Sequence, residues 1–115
     1  TGDVSSDNRM LAAVNLPQGA RMTNLTGHFF DNCATADLEL SVLKHTTTGS
    51  YTFVQTVNSS TLTGSGTKSG AMNEVVNNAT TFYELYVDGP SNWETCNVNL
   101  RIVGATITYT ISEAE

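Results

Sequence analysis

The 115 residues are enough for one domain with a single core, and no apolar run approaches the roughly 20 residues of a membrane-spanning helix. Only 14% of the residues are charged, the net charge is −6, and the five basic residues are scattered along the chain. Nucleic-acid binding requires clustered Lys and Arg. The composition therefore predicts neither a nucleic-acid partner nor membrane insertion.

Apolar residues recur at every second position in the clearest segments. Leu38, Leu40 and Val42 alternate with polar residues, and in a strand this pattern gives one buried and one solvent-facing side. Thr, Ser and Asn fill 39 of the 115 positions, which suits the wet faces of strands and the turns between them. In chain order, the predicted strands are Met10–Leu16, Ala20–Phe30 with a bulge near Asn24, Asp37–His45, Tyr51–Val57, Met72–Val76, Thr81–Asp88, Cys96–Val103 and Ala105–Ser112.

The segments between these strands are rich in turn residues. Pro17-Gln18-Gly19 and Thr46–Ser50 predict turns, and Gly104 predicts a bend between the last two strands. Asn58–Gly70 is rich in Ser, Thr and Gly, so it is either a long hairpin with a weak edge strand or a mobile loop.

About eight short strands without a helix predict an all-β fold, a two-sheet antiparallel sandwich of the jelly-roll type. An immunoglobulin-like sandwich gives the same signals. Residues 1–9 are predicted to be a flexible N-terminal arm, and residues 10–115 a single β-sandwich domain. The start without Met favours a mature product or an excised domain.

The two cysteines, Cys33 and Cys96, match no C-x-x-C redox or zinc motif. Both flank predicted strands at loop ends, where two strands could bring them together. We favour a disulfide over two buried thiols. The bond would close a loop of about 63 residues, which the chain-entropy model values at roughly 4 kcal/mol, and it would indicate an oxidising compartment.

Four short motifs run along most of the chain: Leu16-Pro17-Gln18-Gly19-Ala20, Phe30-Asp31-Asn32, Asp37-Leu38-Glu39-Leu40-Ser41-Val42 and Ile107-Thr108-Tyr109-Thr110. This pattern, over residues 14–112, resembles small uncharacterised bacterial extracellular β domains of the form LP-x-GA … DN … DL-x-L … ItYt. The resemblance implies a secreted or surface-exposed bacterial sandwich and supplies no catalytic residues. A looser likeness is to trimeric jelly-roll heads of the complement/tumour-necrosis-factor type.

Asp31, Asn32 and Asp37 flank the segment around Cys33 and offer the hard oxygen ligands that Ca²⁺ prefers. Their spacing matches no EF-hand. The same side chains are typical of capping, in which they bond nearby backbone at a turn and at a strand entry, and this is the interpretation that the spacing favours. Calcium is the only cofactor hypothesis, and otherwise none is expected.

Trp93 is the single tryptophan and follows a Gly/Pro/Asn-rich loop. A loop Trp can stack on a sugar ring while Asp88, Asn92 and Glu94 bind its hydroxyls. Alternatively, Trp93 closes the end of the core with its N–H bonded to backbone, which the nearby Cys96 favours. The candidate glycan site therefore consists of Trp93 and its three polar neighbours.

The strand Thr81–Asp88 carries aromatic residues on both sides. If Tyr83 faces the core, Phe82, Glu84 and Tyr86 face outward. Outward Phe82 and Tyr86 suggest a subunit interface. A flat aromatic platform for a glycan and ordinary isolated exposure are the alternatives.

No catalytic constellation is visible. His28 and His45 lack a recognisable nucleophile or metal partner, and the chain contains no G-x-S-x-G motif. A glycosidase pair of Glu39 and Glu84 would need a cleft, and their mid-strand positions favour surface ion pairs instead, with Arg101 as a counter-charge. The sequence predicts that the protein is not an enzyme.

The leading hypothesis from the sequence is a secreted, non-catalytic structural or adhesive module of an extracellular or cell-surface assembly. Such a module is expected to form a homo-oligomer. The alternative is a carbohydrate-binding, lectin-like domain that uses the Trp93 loop, with a glycan partner and calcium as a candidate ion.

Overall fold

The computed structural model describes residues 9–90, 96 and 99–111 and folds them into strands arranged in two antiparallel sheets. Sheet A has the order β1-β6-β3-β4, and sheet B has the order β5-β2-β7. This confirms the all-β, two-sheet sandwich. The strands are β1 (Arg9–Val14), β2 (Arg21–Asp31), β3 (Glu39–Thr46), β4 (Tyr51–Asn58), β5 (Gly64–Val75), β6 (Thr81–Asp88) and β7 (Leu100–Thr110).

The connections are those of a jelly-roll-type sandwich. Among the seven described strands, only β3 and β4 form a hairpin within one sheet, and every other connection passes to the opposite sheet. Apart from β3 and β4, neighbouring strands in a sheet are therefore far apart in sequence. Within the described residues, no helix is long and apolar enough to span a membrane.

The core lies between the two sheets and is built from alternate residues of the strands, as the period of two predicts. Leu38, Leu40 and Val42 are all buried in it. On β6, Tyr83 and Val87 are buried, and Leu85 packs against them. The largest other buried side chains are Met22, Leu25, Phe29, Val76 and Leu100.

Two local predictions for the first half of the chain are confirmed. The register of β2 shifts between Met22 and Asn24, where a bulge was expected. The turn at Pro17 closes with a hydrogen bond of 3.1 Å from the Ala20 N–H to the Pro17 carbonyl. Gly19 has φ 84°, which is the left-handed conformation that a type II turn requires at this position.

The glycine-rich segment is an ordered edge strand. Asn58–Gly70 contributes to β5, which continues without a break through most of the predicted short strand Met72–Val76. A Cβ on Gly70 would lie 2.7 Å from Cδ of Gln55. A side chain from β4 thus occupies the space that a larger residue in β5 would need. The contact is supplied by the neighbouring strand, so the segment forms a strand despite its low apolar content.

The last two predicted strands are one. Cys96–Val103 and Ala105–Ser112 were expected to be separated by a bend at Gly104, but β7 is continuous from Leu100 to Thr110. Its register against β2 shifts at Val103. A bulge absorbs one extra residue without ending the ladder, so the described chain has seven strands rather than eight.

Candidate functional site

The outer face of sheet A carries a group of exposed apolar side chains. In register, Leu11 lies beside Tyr86, and Tyr51 and Phe82 lie on either side of β3. Tyr51 is 63% exposed, Phe82 60%, Leu11 58% and Phe53 49%. We call these four residues, together with Tyr86, the aromatic face. It contains both residues of the predicted interface, Phe82 and Tyr86.

The rings of the aromatic face are tilted against one another. The Tyr51 and Phe53 centroids are 6.1 Å apart with an interplanar angle of 87°, and those of Phe53 and Tyr86 are 5.7 Å apart at 52°. Edge-to-face contacts of this kind are favourable aromatic geometry. They present ridges and grooves rather than a coplanar platform, which is a poorer match to the flat face of a sugar.

The ionisable groups beside the rings are paired with each other. His45 Nε2 and Glu84 Oε1 are 2.6 Å apart, and the His45 ring lies 6.1 Å from the Tyr51 ring. This His–Glu pair places Glu84 with a partner that the sequence did not suggest. Glu84, the carboxylate among the rings of the aromatic face, therefore has a hydrogen-bond partner.

The outer face of sheet B has a different chemistry. Its Thr, Ser and His side chains bond to one another: the Thr26 and Ser69 hydroxyls are 2.8 Å apart, and His28 Nε2 lies 3.0 Å from the Thr106 hydroxyl. Since these polar groups are satisfied across neighbouring strands, this face is well suited to contact with water. The two faces of the sandwich are thus chemically distinct.

A disulfide staples one end of the sandwich. Cys33 and Cys96 are bonded with an S–S distance of 2.01 Å and a Cα–Cα distance of 5.8 Å, which confirms the predicted pairing. The bond ties the segment after β2 to the segment before β7. Such bonds persist in oxidising compartments, so the protein fits a non-cytoplasmic location.

Asp31 accepts hydrogen bonds from two neighbouring segments at this end of the sandwich. It is fully buried, and it accepts hydrogen bonds from the Cys33 N–H at 3.0 Å and from the Ser59 hydroxyl at 2.6 Å. Ser59 Oγ in turn accepts the Leu38 N–H at 2.9 Å. A buried carboxylate needs such partners. Ser59 was missed by sequence reasoning, because nothing local distinguishes it from the other serines.

The calcium hypothesis concerns Asp31, Asn32 and Asp37. Both oxygens of Asp31 accept protein hydrogen bonds, and exposed Asn32 donates its N–H to the Asn99 carbonyl at 2.7 Å. In the described ranges, no group of three or more His, Cys, Asp and Glu side chains could hold a metal ion. The bonding of Asp31 matches the capping interpretation, and calcium binding stays a prediction.

Asp37 interacts unfavourably with Asp31 when both are ionised. Desolvation in the folded state, a side-chain hydrogen bond to Asp31 and the charge of Asp31 raise the pKa of Asp37 above its ordinary 3.8, and the charge of Lys68 opposes the change. The folded state therefore holds this proton more tightly than the unfolded chain. The contribution of Asp37 to stability is fully favourable below pH 3.8 and is lost as the pH rises through the folded-state pKa.

We therefore expect Asp37→Asn to raise the melting temperature at pH 7 and to leave it nearly unchanged at pH 3. The Asn amide can still donate to Asp31, but it carries no charge. The gain should be no more than about 4 °C, because the side chain is exposed and solvent screens the charge. Thermal unfolding by circular dichroism across pH 3–7 measures it. A variant less stable than the parent at pH 7 would contradict the like-charge argument.

A groove of about 450 Å³ opens beside the disulfide end. Asp88, one of the predicted glycan-binding residues, belongs to it and is followed by Gly89 and Pro90. The other three predicted residues, Asn92, Trp93 and Glu94, lie outside the described part of the chain. The carboxylate, amide and hydroxyl groups that line the groove can bind sugar hydroxyls, and they belong to Thr35, Asp37, Glu39, Asn58, Ser60 and Asp88. Ala36, Gly89 and Pro90 complete the lining.

Of the residues considered for catalysis, His45 and Glu84 contact each other, but they form no site with His28. His28 is bonded on sheet B and His45 on sheet A, and neither contacts both a carboxylate and a hydroxyl in the hydrogen bonds described. Arg101, expected as a counter-charge for the glutamates, lies on β7 and stacks over Phe30 at 4.4 Å instead. That the protein is not an enzyme remains a prediction.

Compared with protein-family models, with curated proteins and with solved structures, the chain shows no match.

Proposed function

We propose that this protein is a non-catalytic structural module of an extracellular assembly, and that it self-associates through the aromatic face. The observation that carries this proposal is the concentration of exposed rings and Leu11 on one side of the sandwich. Monomeric soluble proteins rarely expose contiguous apolar patches of this kind without a binding role. The disulfide supports an oxidising, extracellular setting.

The size of the face fits a modest interface. Three strands of eight residues and one of six, about 4.8 Å apart and rising about 3.3 Å per residue, give the outer side of sheet A that carries this face a flat area of about 500 Å² per copy. Two copies would bury about 1,000 Å², which lies at the lower limit for a specific interface. We therefore expect association that is reversible and depends on protein concentration.

The charge distribution favours a second copy as the partner. The whole chain has a net charge of −6, so most of its surface repels an identical molecule. On the aromatic face, Glu84 is bonded to His45, and the rings around this pair are neutral. This is the part of sheet A where two copies can approach with the least electrostatic repulsion. The tilted rings also offer ridges that can interlock across a two-fold axis.

A charge placed in this face should abolish association. In Phe82→Glu, each copy would bury an unpaired carboxylate next to Glu84, so we expect the association constant to fall by about tenfold or more. Sedimentation velocity over a range of concentrations measures this. The matched control is Val75→Glu, which makes the same kind of change at an exposed apolar residue on sheet B. If Phe82→Glu sediments like the parent protein, the proposal is wrong.

Glycan binding at the groove is the second candidate function. It is favoured by the convergence of Asp37, Glu39, Asn58 and Asp88 on one groove. The lining residue Pro90 precedes Trp93 by three positions in the sequence, and Trp93 is the single tryptophan, so its fluorescence is the signal to follow. A saturable change with an oligosaccharide, equal in the parent and in Phe82→Glu, would support a lectin-like function and would not depend on self-association.

A further inference from the structure

The sandwich has four edge strands, and they differ in the residues that could prevent pairing with another strand. In the described structure, β1 and β4 border sheet A, and β5 and β7 border sheet B. An edge exposes backbone N–H and C=O groups that can pair with another strand, and natural proteins commonly block this with charges, prolines, bulges or short strands.

Three of the edges carry such features. The described part of β1 has six residues and carries the charged side chain of Arg9. β4 is interrupted by a register shift against β3 at Val54. β5 contains Lys68, Glu74 and several glycines, and its middle is held by the Lys68 ammonium, which donates to the Ser60 carbonyl at 2.6 Å.

Within the described part of the chain, no strand pairs with the free side of β7, the fourth edge. The bulge of β7 lies at Val103. Beyond it, Ala105–Thr110 pairs with β2 through one further register shift, whose extra residue, Thr23, belongs to β2 and not to β7. This segment holds no charged residue, no proline and no glycine, and after Ala105 it consists of β-branched residues and one tyrosine. Such composition favours strand pairing.

Apolar side chains at this edge are incompletely covered. Ile107 is half-buried against the core, Tyr109 is 40% exposed, and Ile111 just beyond the strand is 57% exposed. Contacts between the two sheets are concentrated where β4 lies beside β5 and β2, whereas β7 lies mainly against β2. A strand added beside β7 would cover these side chains as well as satisfying backbone groups.

We infer that Ala105–Thr110 pairs antiparallel with the same segment of a second copy, joining two B sheets into one six-stranded sheet. An antiparallel edge is complementary to itself about a two-fold axis, because each residue offers the partner the same donor and acceptor. Six residues on each strand would add about six backbone hydrogen bonds. The segment is neutral, so a second copy meets no like charge there, in contrast to the other edge of sheet B.

This edge is a separate surface from the aromatic face, and the inference does not require that face. If both contacts form, each copy has two different two-fold contacts, and this one step rests on the proposed function. A subunit with two such contacts binds two neighbours, and assemblies then grow beyond a dimer. This gives the assembly a geometry of alternating face and edge contacts.

The test places lysines on the β7 edge. Thr108→Lys with Thr110→Lys places positive charges on the outer side of this edge in both copies, so that like charges lie within cross-strand or diagonal reach when the segment pairs with itself. Both residues are exposed and outward-facing. The control is Thr67→Lys with Ala71→Lys, which adds the same charges to the β5 edge of the same sheet. Melting temperatures verify that each variant is folded before sedimentation velocity is measured.

We expect species larger than a dimer in the parent and in the control, and no species larger than a dimer in the β7 variant. Combining the β7 variant with Phe82→Glu should leave monomers. If the β7 variant matches the parent, the edge inference is overturned. If the β7 variant loses mass but Phe82→Glu does not, the edge contact holds and the proposed function of the aromatic face fails. A parent that stays monomeric at high concentration overturns both.

Hydrogen exchange provides a second readout that a merely unstable variant would not mimic. Pairing predicts that amides within Ala105–Thr110 become more protected as the concentration of Phe82→Glu rises, because the edge contact is intact in that variant. The β5 amides should not change. Equal exchange at low and high concentration would count against the pairing.

Discussion

Removal of the disulfide by Cys33→Ser with Cys96→Ser is expected to lower the free energy of unfolding by roughly 4 kcal/mol. The bond joins positions separated by 63 residues, so it removes a large amount of chain entropy from the unfolded state. It also holds the segment before β7 next to Asp31, whose hydrogen bonds order the same end. Urea unfolding monitored by circular dichroism gives the free energy directly.

Reduction of the parent protein serves as the matched control. In a strong reductant, the parent should unfold at nearly the urea concentration of the double serine variant, and the reductant should leave the variant unchanged. A double variant as stable as the oxidised parent would show that the loop closure contributes little and that the hydrogen bonds of Asp31 hold this end alone.

Phe29→Ala is expected to lower the free energy of unfolding by about 3–5 kcal/mol. Phe29 is the largest of the fully buried side chains. Its ring covers Gly27 so closely that a Cβ there would lie 2.6 Å from Cε2 of the ring, and Leu40 is close to the same point. Removal of the ring therefore leaves a cavity between the two sheets that no small shift can fill.

The neighbouring residue provides the control for this prediction. Phe30→Ala makes the same substitution on the opposite side of β2, where the ring is partly exposed and stacks under Arg101. Its loss should cost about 1 kcal/mol, and urea unfolding of both variants gives the difference. If the two substitutions were equally destabilising, the alternation of buried and exposed faces along β2 would not describe the energetics of the strand.

The period of two was sufficient to predict much of this fold. Leu38, Leu40 and Val42 point into the core, as their spacing indicates, because a strand sends successive side chains to opposite faces regardless of what lies beside it. The same rule placed Phe82 and Tyr86 outside. The disulfide was also predictable, since only two cysteines are present and both lie at loop ends.

The local sequence pattern was insufficient to predict a strand where contacts with a neighbouring strand determine whether it forms. The glycines of β5 look like a loop in sequence, but a Gln55 side chain from β4 fills the space above Gly70. The predicted bend at Gly104 is absorbed in a bulge, because pairing with β2 continues on both sides of it. In each case the strand forms because its neighbour supplies contacts that the segment lacks.

By itself, the sequence determined that this is an all-β sandwich, which residues face its core and that its cysteines can join. Only the tertiary structure determined which of the outward-facing side chains on different strands lie next to one another. Tyr51 and Phe53 share a surface with Phe82 because β3 lies between β4 and β6, and Glu84 finds His45 rather than Arg101 for the same reason. The side-chain period is a property of a single strand, whereas the order of strands in a sheet depends on contacts between residues far apart in the chain.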